Sequence, residues 1–152
     1  MEPRLNLYKR IGETPLQRME RFRSGSLEYN NKKMTYAGRL DPIAEGVLLV
    51  LVGEECKSKE NYLNLSKEYV FDVLLGIETD TYDILGKILN MAPAPEPEEA
   101  FEKIKQHLKD FEGKIEQEYP PFSSKSVQGS SLFEWAKAGK IGEIELPKKE
   151  NF

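Results

Sequence analysis

The chain has 152 residues, and its 22 lysines and arginines against 26 aspartates and glutamates give a formal net charge of −4. This length accommodates one compact domain with a hydrophobic core, but not two of full size. The longest apolar run, residues 47–52, is far shorter than the roughly 20 residues that a membrane helix needs, and the N-terminus lacks the features of a secretory signal. We therefore expect a cytoplasmic protein.

The composition also limits the possible chemistry. The chain contains a single cysteine, Cys56, and a single histidine, His107. It therefore cannot form an internal disulfide or a zinc cluster of cysteines and histidines. His107 falls in a segment predicted to be an amphipathic helix, so activation of a serine or cysteine by histidine is not expected. An active site would depend on a carboxylate, a lysine or a tyrosine.

Positive charge is concentrated in the first quarter of the chain. Residues 1–40 carry nine basic side chains against four acidic ones (+5), which leaves 13 basic against 22 acidic (−9) for the remainder. Every arginine lies at or before Arg39, so a bidentate contact to a phosphate would come from this segment. A solvated surface without a partner gives the same pattern, and the charges alone do not decide between the two.

The elements predicted for the first half begin with a half-buried strand at residues 5–8, where apolar and polar residues alternate. A helix follows, with Thr14 as N-cap, Pro15 at the first position and Gln17 completing a capping box. A loop punctuated by glycine and proline, residues 36–46, then leads into an apolar strand at 47–52 that we expect to be buried on both faces. A short helix over about residues 56–65 comes next.

In the second half, alternation over residues 69–75 predicts a strand, and a turn-rich loop then precedes a short strand at 87–89. A proline-rich connector leads to an amphipathic helix that ends before Gly113. An extended piece at 114–119 and a short helix at 131–138 follow. This order lacks regular βαβ spacing, which favours an α+β fold with a mixed or antiparallel sheet flanked by helices.

Several blocks resemble one enzyme family. Residues 38–46, GRLDPIAEG, resemble the G-x-L-D-P-x-A-x-G signature of TruB-type pseudouridine synthases. Residues 9–14 resemble the family's K-P-x-G-x-T/S stretch, with Arg10 in place of the usual proline. Residues 67–69 match the K-x-Y motif, and residues 79–86 resemble the T-D-T-x-D-x-x-G loop.

A fifth block resembles the family's later G-x-I-x-Q and P-P-x-(F/Y)-S-A-x-K stretches, followed by a glycine. It comprises residues 113–117, residues 120–125 and Gly129. The blocks follow the family's order over nearly the whole chain. The chain therefore resembles the N-terminal part of a pseudouridine synthase catalytic domain.

The resemblance implies isomerisation of a tRNA uridine, at position 55 of the T loop, without a metal, nucleotide or redox cofactor. In the family the uracil is detached from its ribose, turned and rejoined through carbon, and the catalytic aspartate maps onto Asp41. A carboxylate suits this task because it is ionised at neutral pH and can act as a nucleophile or as the electrostatic partner of a sugar cation. The sequence leaves both roles open.

The resemblance also implies substrate-binding residues. The tyrosine that stacks on the target base maps onto Tyr69, where stacking worth about 1–3 kcal/mol would offset part of the few kcal/mol that base flipping costs. A core tyrosine in a strand is the alternative. Lys9 and Lys67 are expected to hold phosphates in a salt-sensitive manner, although a solvated role stays open for each lysine. The predicted substrate-binding set is completed by Tyr36, Gly38, Arg39 and Asp80.

Two departures from the family pattern affect the expected activity. Tyr36 stands where many members have a histidine. The family continues with a K-G-x-Y-x-R motif, whose arginine pairs with the catalytic aspartate, and often with an RNA-binding PUA domain, and this sequence contains neither. We therefore expect one incomplete catalytic domain over residues 1–152 without a PUA domain. The missing cation would come from Arg39, from a second copy of the chain or from a complementing polypeptide.

The expected partner is the T arm of tRNA. The main alternative is a catalytically silent tRNA-binding or folding module, in which Tyr69 and the basic N-terminal segment bind the RNA. A third interpretation is a protein-interaction domain that uses the acidic region 96–118.

Overall fold

A computed structural model describes residues 2–151, with side-chain environments over residues 2–148. The chain divides into two compact units, and the boundary lies between Val70 and Phe71. Within the described range, every helix is too short or too polar to traverse a lipid bilayer. The expectation of one domain over residues 1–152 stays a prediction.

The first unit is built on an antiparallel three-stranded sheet in the order β1-β3-β2. Its strands are β1 (Arg4–Lys9), β2 (Met34–Ala37) and β3 (Gly46–Val52). The two strands predicted for this half are thereby confirmed. β2 was not predicted, because its mixed composition carries no clear alternation and its formation depends on pairing with β3.

One face of this sheet carries the core. Leu7 and Leu48 lie opposite each other on β1 and β3, and both pack with Met19 of helix α1 (Pro15–Ser24). On the other face Leu51 is fully buried, but Val47 is 68% exposed. The prediction that this strand is buried on both faces is therefore wrong at its beginning, since little covers that end of the second face.

Local signals place α1 as the sequence predicts. The Thr14 hydroxyl accepts a hydrogen bond from the Gln17 N–H at 3.2 Å, and the Gln17 side chain accepts one from the Thr14 N–H at 2.8 Å. The next helix differs from the prediction. It is a 3₁₀ helix, Gly53–Tyr62, which begins earlier than residue 56 and packs against β2 and β3.

The second unit contains short antiparallel hairpins and two α-helices. Its elements are β4 (Ile77–Thr79), β5 (Ile88–Met91), α2 (Pro97–Leu108), β6 (Ile115–Glu118), β7 (Ser126–Val127), β8 (Ser130–Ser131), α3 (Leu132–Lys137) and β9 (Lys148–Asn151). β4 pairs with β5, β6 with β9 and β7 with β8. The predicted strand near residue 88, the two helices and the extended piece at 114–119 are confirmed.

The strand predicted at residues 69–75 is wrong. The backbone over residues 66–74 belongs to no strand, and side chains on both sides of it are exposed, as at Val70 (94%) and Phe71 (75%). Alternating composition gives a segment strand propensity, but a strand needs a neighbour to satisfy its backbone groups, and none lies beside it among the described residues. The helices and small antiparallel sheets agree with the α+β class, and every described strand pairing is antiparallel. The finer pseudouridine-synthase-like arrangement stays a prediction.

Candidate active site

Asp41 lies on the loop that connects β2 to β3, and its side chain is exposed. Glycines stand at both ends of this loop, with φ of +87° at Gly38 and +137° at Gly46, values that favour glycine. The Ala44 N–H donates to the Asp41 carbonyl at 2.9 Å, which closes a turn directly after the aspartate. We call residues 41–44 the Asp41 loop. Its backbone is compact while its carboxylate faces solvent.

Two hydrogen bonds join the Asp41 loop to the end of β1 and the turn that follows it. The Gly12 N–H donates to the Pro42 carbonyl at 2.8 Å, and the Lys9 ammonium donates to the Ala44 carbonyl at 2.6 Å. Both acceptors lie within three residues after Asp41. The backbone that carries the carboxylate is therefore held at two points.

Lys9 is fully buried, with 0% of its surface exposed. Besides the bond to Ala44, its ammonium donates to the Arg10 carbonyl at 3.1 Å. A buried ammonium has to be hydrogen-bonded, and here backbone carbonyls supply the acceptors. Lys9 thus holds the Asp41 loop, and the predicted phosphate contact is not available to a side chain without exposed surface.

The other predicted residues of the first unit are placed differently. Tyr36 lies on β2, half-buried against the core, with the Lys59 ammonium 5.7 Å from its ring centroid. Arg39 is exposed, two residues before Asp41. Lys67 is exposed and donates to two backbone carbonyls that follow the 3₁₀ helix, at 2.8 and 2.9 Å. Tyr69 is 64% exposed and lies in a segment without secondary structure, so it is not a core tyrosine.

Asp80 belongs to the second unit, where it helps to shape a tight turn. Its Oδ1 accepts a hydrogen bond from the Lys87 N–H at 2.8 Å. Within the same turn, Asp83 Oδ1 accepts from the Thr81 hydroxyl at 2.7 Å, and a Cβ at Gly86 would collide with that hydroxyl. These contacts explain why the motif combines hydroxyl, carboxylate and glycine residues. The substrate-binding role of Asp80 stays a prediction.

Several basic side chains among residues 1–40 form hydrogen bonds or ion pairs within the first unit. Arg18 Nε donates to the Tyr8 carbonyl at 2.7 Å, and Arg23 pairs with Glu20 on the same helix. Arg21 lies 2.8 Å from Glu13. The surface available to phosphates is consequently smaller than the local charge of residues 1–40 suggests.

Beside the Asp41 loop, Tyr8 on β1 interacts with Glu45. A hydrogen bond from the Tyr8 hydroxyl to the Glu45 carboxylate raises the pKa of this tyrosine above 10.0, with smaller contributions from desolvation and from the charge of Glu45. The neutral, hydrogen-bonding form of Tyr8 therefore persists to a higher pH than that of an ordinary tyrosine.

Sequence reasoning missed Glu13, which is 9% exposed in the turn after β1. Its Oε1 accepts from the Arg10 N–H at 2.7 Å. The signal that could have identified this contact is Arg10 itself, because a residue that replaces a proline adds an N–H that needs an acceptor.

A cavity of about 700 Å³ lies along β1, on the first unit. Its lining includes Arg4, Leu7, Phe22 and Leu49, and none of the eight predicted site residues. The exposed Asp41 carboxylate does not line this cavity. Among the described residues no group of three or more histidine, cysteine, aspartate or glutamate side chains is arranged to hold a metal ion.

Comparison with known proteins finds a matching family and several similar sequences. The sequence model described as TruB family pseudouridylate synthase (N terminal domain) matches residues 27–151. The chain is 34% identical over 148 residues to tRNA pseudouridine synthase B of Aquifex aeolicus (strain VF5), covering 97% of this chain and 50% of the relative. It is 39% identical over 144 residues to the protein of the same name from Thermosipho melanesiensis, covering 94% of this chain and 44% of the relative.

A third relative, tRNA pseudouridine synthase B of Caldanaerobacter subterraneus subsp. tengcongensis, is 39% identical over 119 residues, covering 78% of this chain and 40% of the relative. The chain thus spans about half the length, or less, of the curated relatives that it matches.

Proposed function

The chain belongs to the TruB family of pseudouridylate synthases, and from this premise we propose that it isomerises uridine to pseudouridine at position 55 in the T loop of tRNA. Asp41 is the catalytic carboxylate in this proposal. The relatives that carry the name tRNA pseudouridine synthase B support tRNA as the substrate class.

The proposal depends on one observation: the Asp41 carboxylate is exposed on a loop whose backbone is anchored. Its carboxylate is exposed, while the loop backbone is held by the Gly12 N–H at Pro42 and by the Lys9 ammonium at Ala44. A catalytic group has to be held close to its productive position before the substrate arrives, and two anchors directly after the aspartate serve this purpose.

The reaction needs no co-reactant, because it is an isomerisation. The N1–C1′ glycosidic bond breaks and a C5–C1′ bond forms, while the proton on C5 leaves and N1 gains one. Asp41 can attack the sugar as a nucleophile or stabilise a cationic sugar by its charge. Both roles require the carboxylate in its ionised form.

Substrate binding in this proposal relies on exposed groups of the first unit. Tyr69 is 64% exposed, and its ring offers a surface on which a flipped base can stack. Lys67 and Arg39 are exposed and can contribute positive charge toward the RNA backbone. In this proposal a cation for Asp41 comes from the exposed Arg39, from a second copy of the chain or from a complementing polypeptide.

The experiment is release of tritium from tRNA labelled at uracil C5, since the isomerisation replaces the C5–H bond. The full chain is compared with Asp41→Asn, and Asp110→Asn serves as the matched control because Asp110 is an exposed aspartate beside His107 in the second unit. We expect release by the unmodified chain and by Asp110→Asn, and none by Asp41→Asn. Normal turnover by Asp41→Asn would contradict the assignment of the catalytic residue.

A catalytically silent tRNA-binding module is the second candidate. It is favoured by the segment that carries Tyr69, because residues 66–74 belong to no strand and no strand pairing fixes the backbone there. In that case tRNA binding weakens steeply with salt, while no tritium is released by the chain or by either variant.

A further inference from the structure

We propose that Glu13 is a positioning residue for the Asp41 loop, acting through the turn formed by residues 10–13. The inference rests on the proposed function only in giving Asp41 a catalytic role. The structural part, that the Glu13 carboxylate sets the shape of this turn and so holds the loop, stands on contacts of its own.

The first observation is that Glu13 is a buried carboxylate with two charged or polar contacts. It is 9% exposed, its Oε1 accepts from the Arg10 N–H at 2.7 Å, and its Oε2 lies 2.8 Å from the Arg21 guanidinium of α1. Oε2 accepts no well-directed hydrogen bond, so the contact with Arg21 is an ion pair without ideal donor geometry. A carboxylate is costly to bury unless it is paired, which indicates that its position is specified by these contacts.

The second observation is that the turn is only weakly closed by its own backbone. The Glu13 N–H lies 3.5 Å from the Arg10 carbonyl, at the limit of a hydrogen bond. The side-chain bond from Arg10 N–H to Glu13 Oε1 is much shorter, at 2.7 Å, and it spans the same four residues. The carboxylate is therefore the main closure of the turn.

Both anchors of the Asp41 loop depend on the shape of this turn. Gly12, with φ of +85°, lies inside it and donates to Pro42. Lys9 precedes it, and its ammonium connects the Arg10 carbonyl to the Ala44 carbonyl. A turn that opens would move the Gly12 N–H and the Arg10 carbonyl together, and so loosen the loop at two points.

The chemistry of residue 10 allows a specific test, in which a substitution of Arg10 is combined with the loss of the Glu13 carboxylate. A proline at this position has no N–H, so it removes the donor that Glu13 satisfies, and it presets φ for the turn. The residue before it, Lys9, ends β1 in an extended conformation, which is the conformation that a following proline favours. Arg10→Pro should therefore compensate in part for the loss of Glu13.

The experiment measures amide hydrogen exchange on the full chain, at the Gly12 amide, which donates to Pro42, and at the Ala44 amide, which donates to Asp41. Glu13→Ala should lose about tenfold in protection at both amides, because it removes the acceptor of the Arg10 N–H and with it the main closure of the turn. Protection in the middle of β3 should stay unchanged. Glu13→Gln keeps the acceptor for the Arg10 N–H and should lose clearly less. Arg10→Pro combined with Glu13→Ala should regain protection relative to Glu13→Ala.

Glu20→Ala is the matched control, because it removes another glutamate that pairs with an arginine of α1. Equal protection of Gly12 and Ala44 in Glu13→Ala and Glu20→Ala would overturn the proposal. Equal loss throughout β3 would also overturn it, because Glu13 would then act on overall stability, and so would a loss in Glu13→Gln as large as in Glu13→Ala.

The tritium assay separates this inference from the proposed function. A positioning role predicts that Glu13→Ala lowers kcat while KM is nearly unchanged, since the Asp41 carboxylate acts on bound substrate. If the unmodified chain releases no tritium, the proposed activity fails, whereas the exchange measurements still decide whether Glu13 holds the loop.

Discussion

The ammonium of Lys9 lies 2.6 Å from the carbonyl oxygen of Ala44, three residues after Asp41. A lysine in the family's first motif, for which the sequence suggested a phosphate contact, thus connects the end of the edge strand β1 to the loop that carries the candidate catalytic aspartate. The stability of the sheet and the position of the carboxylate are therefore coupled through one buried side chain.

Replacing Lys9 by methionine tests this connection. Lys9→Met keeps the apolar stem but removes both hydrogen bonds of the ammonium, and bonds to a charged donor contribute about 2 kcal/mol. We expect a loss of about that size in the stability of the first unit, measured by native-state hydrogen exchange of β1 and β3 amides in urea. Lys57→Met, which removes an exposed lysine paired with Glu54, should change it by less than about 0.5 kcal/mol. Similar effects of the two substitutions would argue against the role of Lys9.

Salt dependence distinguishes Lys9 from Lys67 in tRNA binding. Each lysine that contacts a phosphate adds roughly 0.7 to 0.9 to the slope of log affinity against log salt. Lys67 is exposed and Lys9 is not, so Lys67→Met should reduce the slope by about that amount and Lys9→Met should leave it unchanged. Binding titrations at several salt concentrations measure the slopes of both variants. A lower slope for Lys9→Met would show that Lys9 reaches the RNA.

The two faces of β3 should respond differently to truncation. Leu48 is 2% exposed in the core, whereas its neighbour Val47 is 68% exposed on the opposite face. Leu48→Ala should destabilise the first unit by about 3 kcal/mol, because it removes buried methyl groups and leaves a cavity. Val47→Ala should cost less than about 1 kcal/mol. Native-state hydrogen exchange measures the loss of stability in each variant, and equal losses would mean that the core lies elsewhere.

Helix α3 should lose part of its stability in acid. Hydrogen bonds from the Ser131 backbone N–H and then from its hydroxyl lower the pKa of Glu134 below 4.5. A depressed pKa in the folded state stabilises the protein above the ordinary pKa, and this contribution is lost as the pH falls through the folded-state pKa. Fluorescence of Trp135, on the same helix, should therefore report loosening below pH 4.5. Glu134→Gln, which has no charge to lose, should reduce this pH dependence.

Tyr8 should titrate at a higher pH than an ordinary tyrosine. The hydrogen bond to Glu45 raises its pKa above 10.0 and stabilises the fold below that pH, a contribution that is lost as the pH rises through the folded-state pKa. Glu45→Gln should move the pKa of Tyr8 down toward 10.0, measured from its ring resonances in NMR. Glu55→Gln is the control, because Glu55 raises the pKa of Tyr62 instead. A shift of Tyr8 in the control alone would contradict the assignment.

Features that depend on neighbouring residues could be predicted from the sequence. The capping box of α1 needs only Thr14 and Gln17, and that of α3 needs only Ser131 and Glu134, so their N-termini can be read from a few letters. The motif around Asp41 likewise indicated the family, which the comparisons show.

Features that depend on distant parts of the chain could not be predicted from the sequence. Residues 69–75 have the composition of a strand but lie beside no partner strand in the described chain, whereas β2 lacks a clear pattern and pairs because β3 runs alongside it. The composition of a segment sets its propensity, but backbone pairing requires a second segment that is remote in sequence.

The sequence by itself determined the family, the starts of α1 and α3, and the carboxylate proposed for catalysis. Only the tertiary structure decided that Lys9 points inward and that Glu13 closes the turn against the Asp41 loop. The physical reason is that the environment of a charged side chain depends on which backbone carbonyls and N–H groups the fold brings to it, and those of residues 42–44 come from some 30 residues further along the chain.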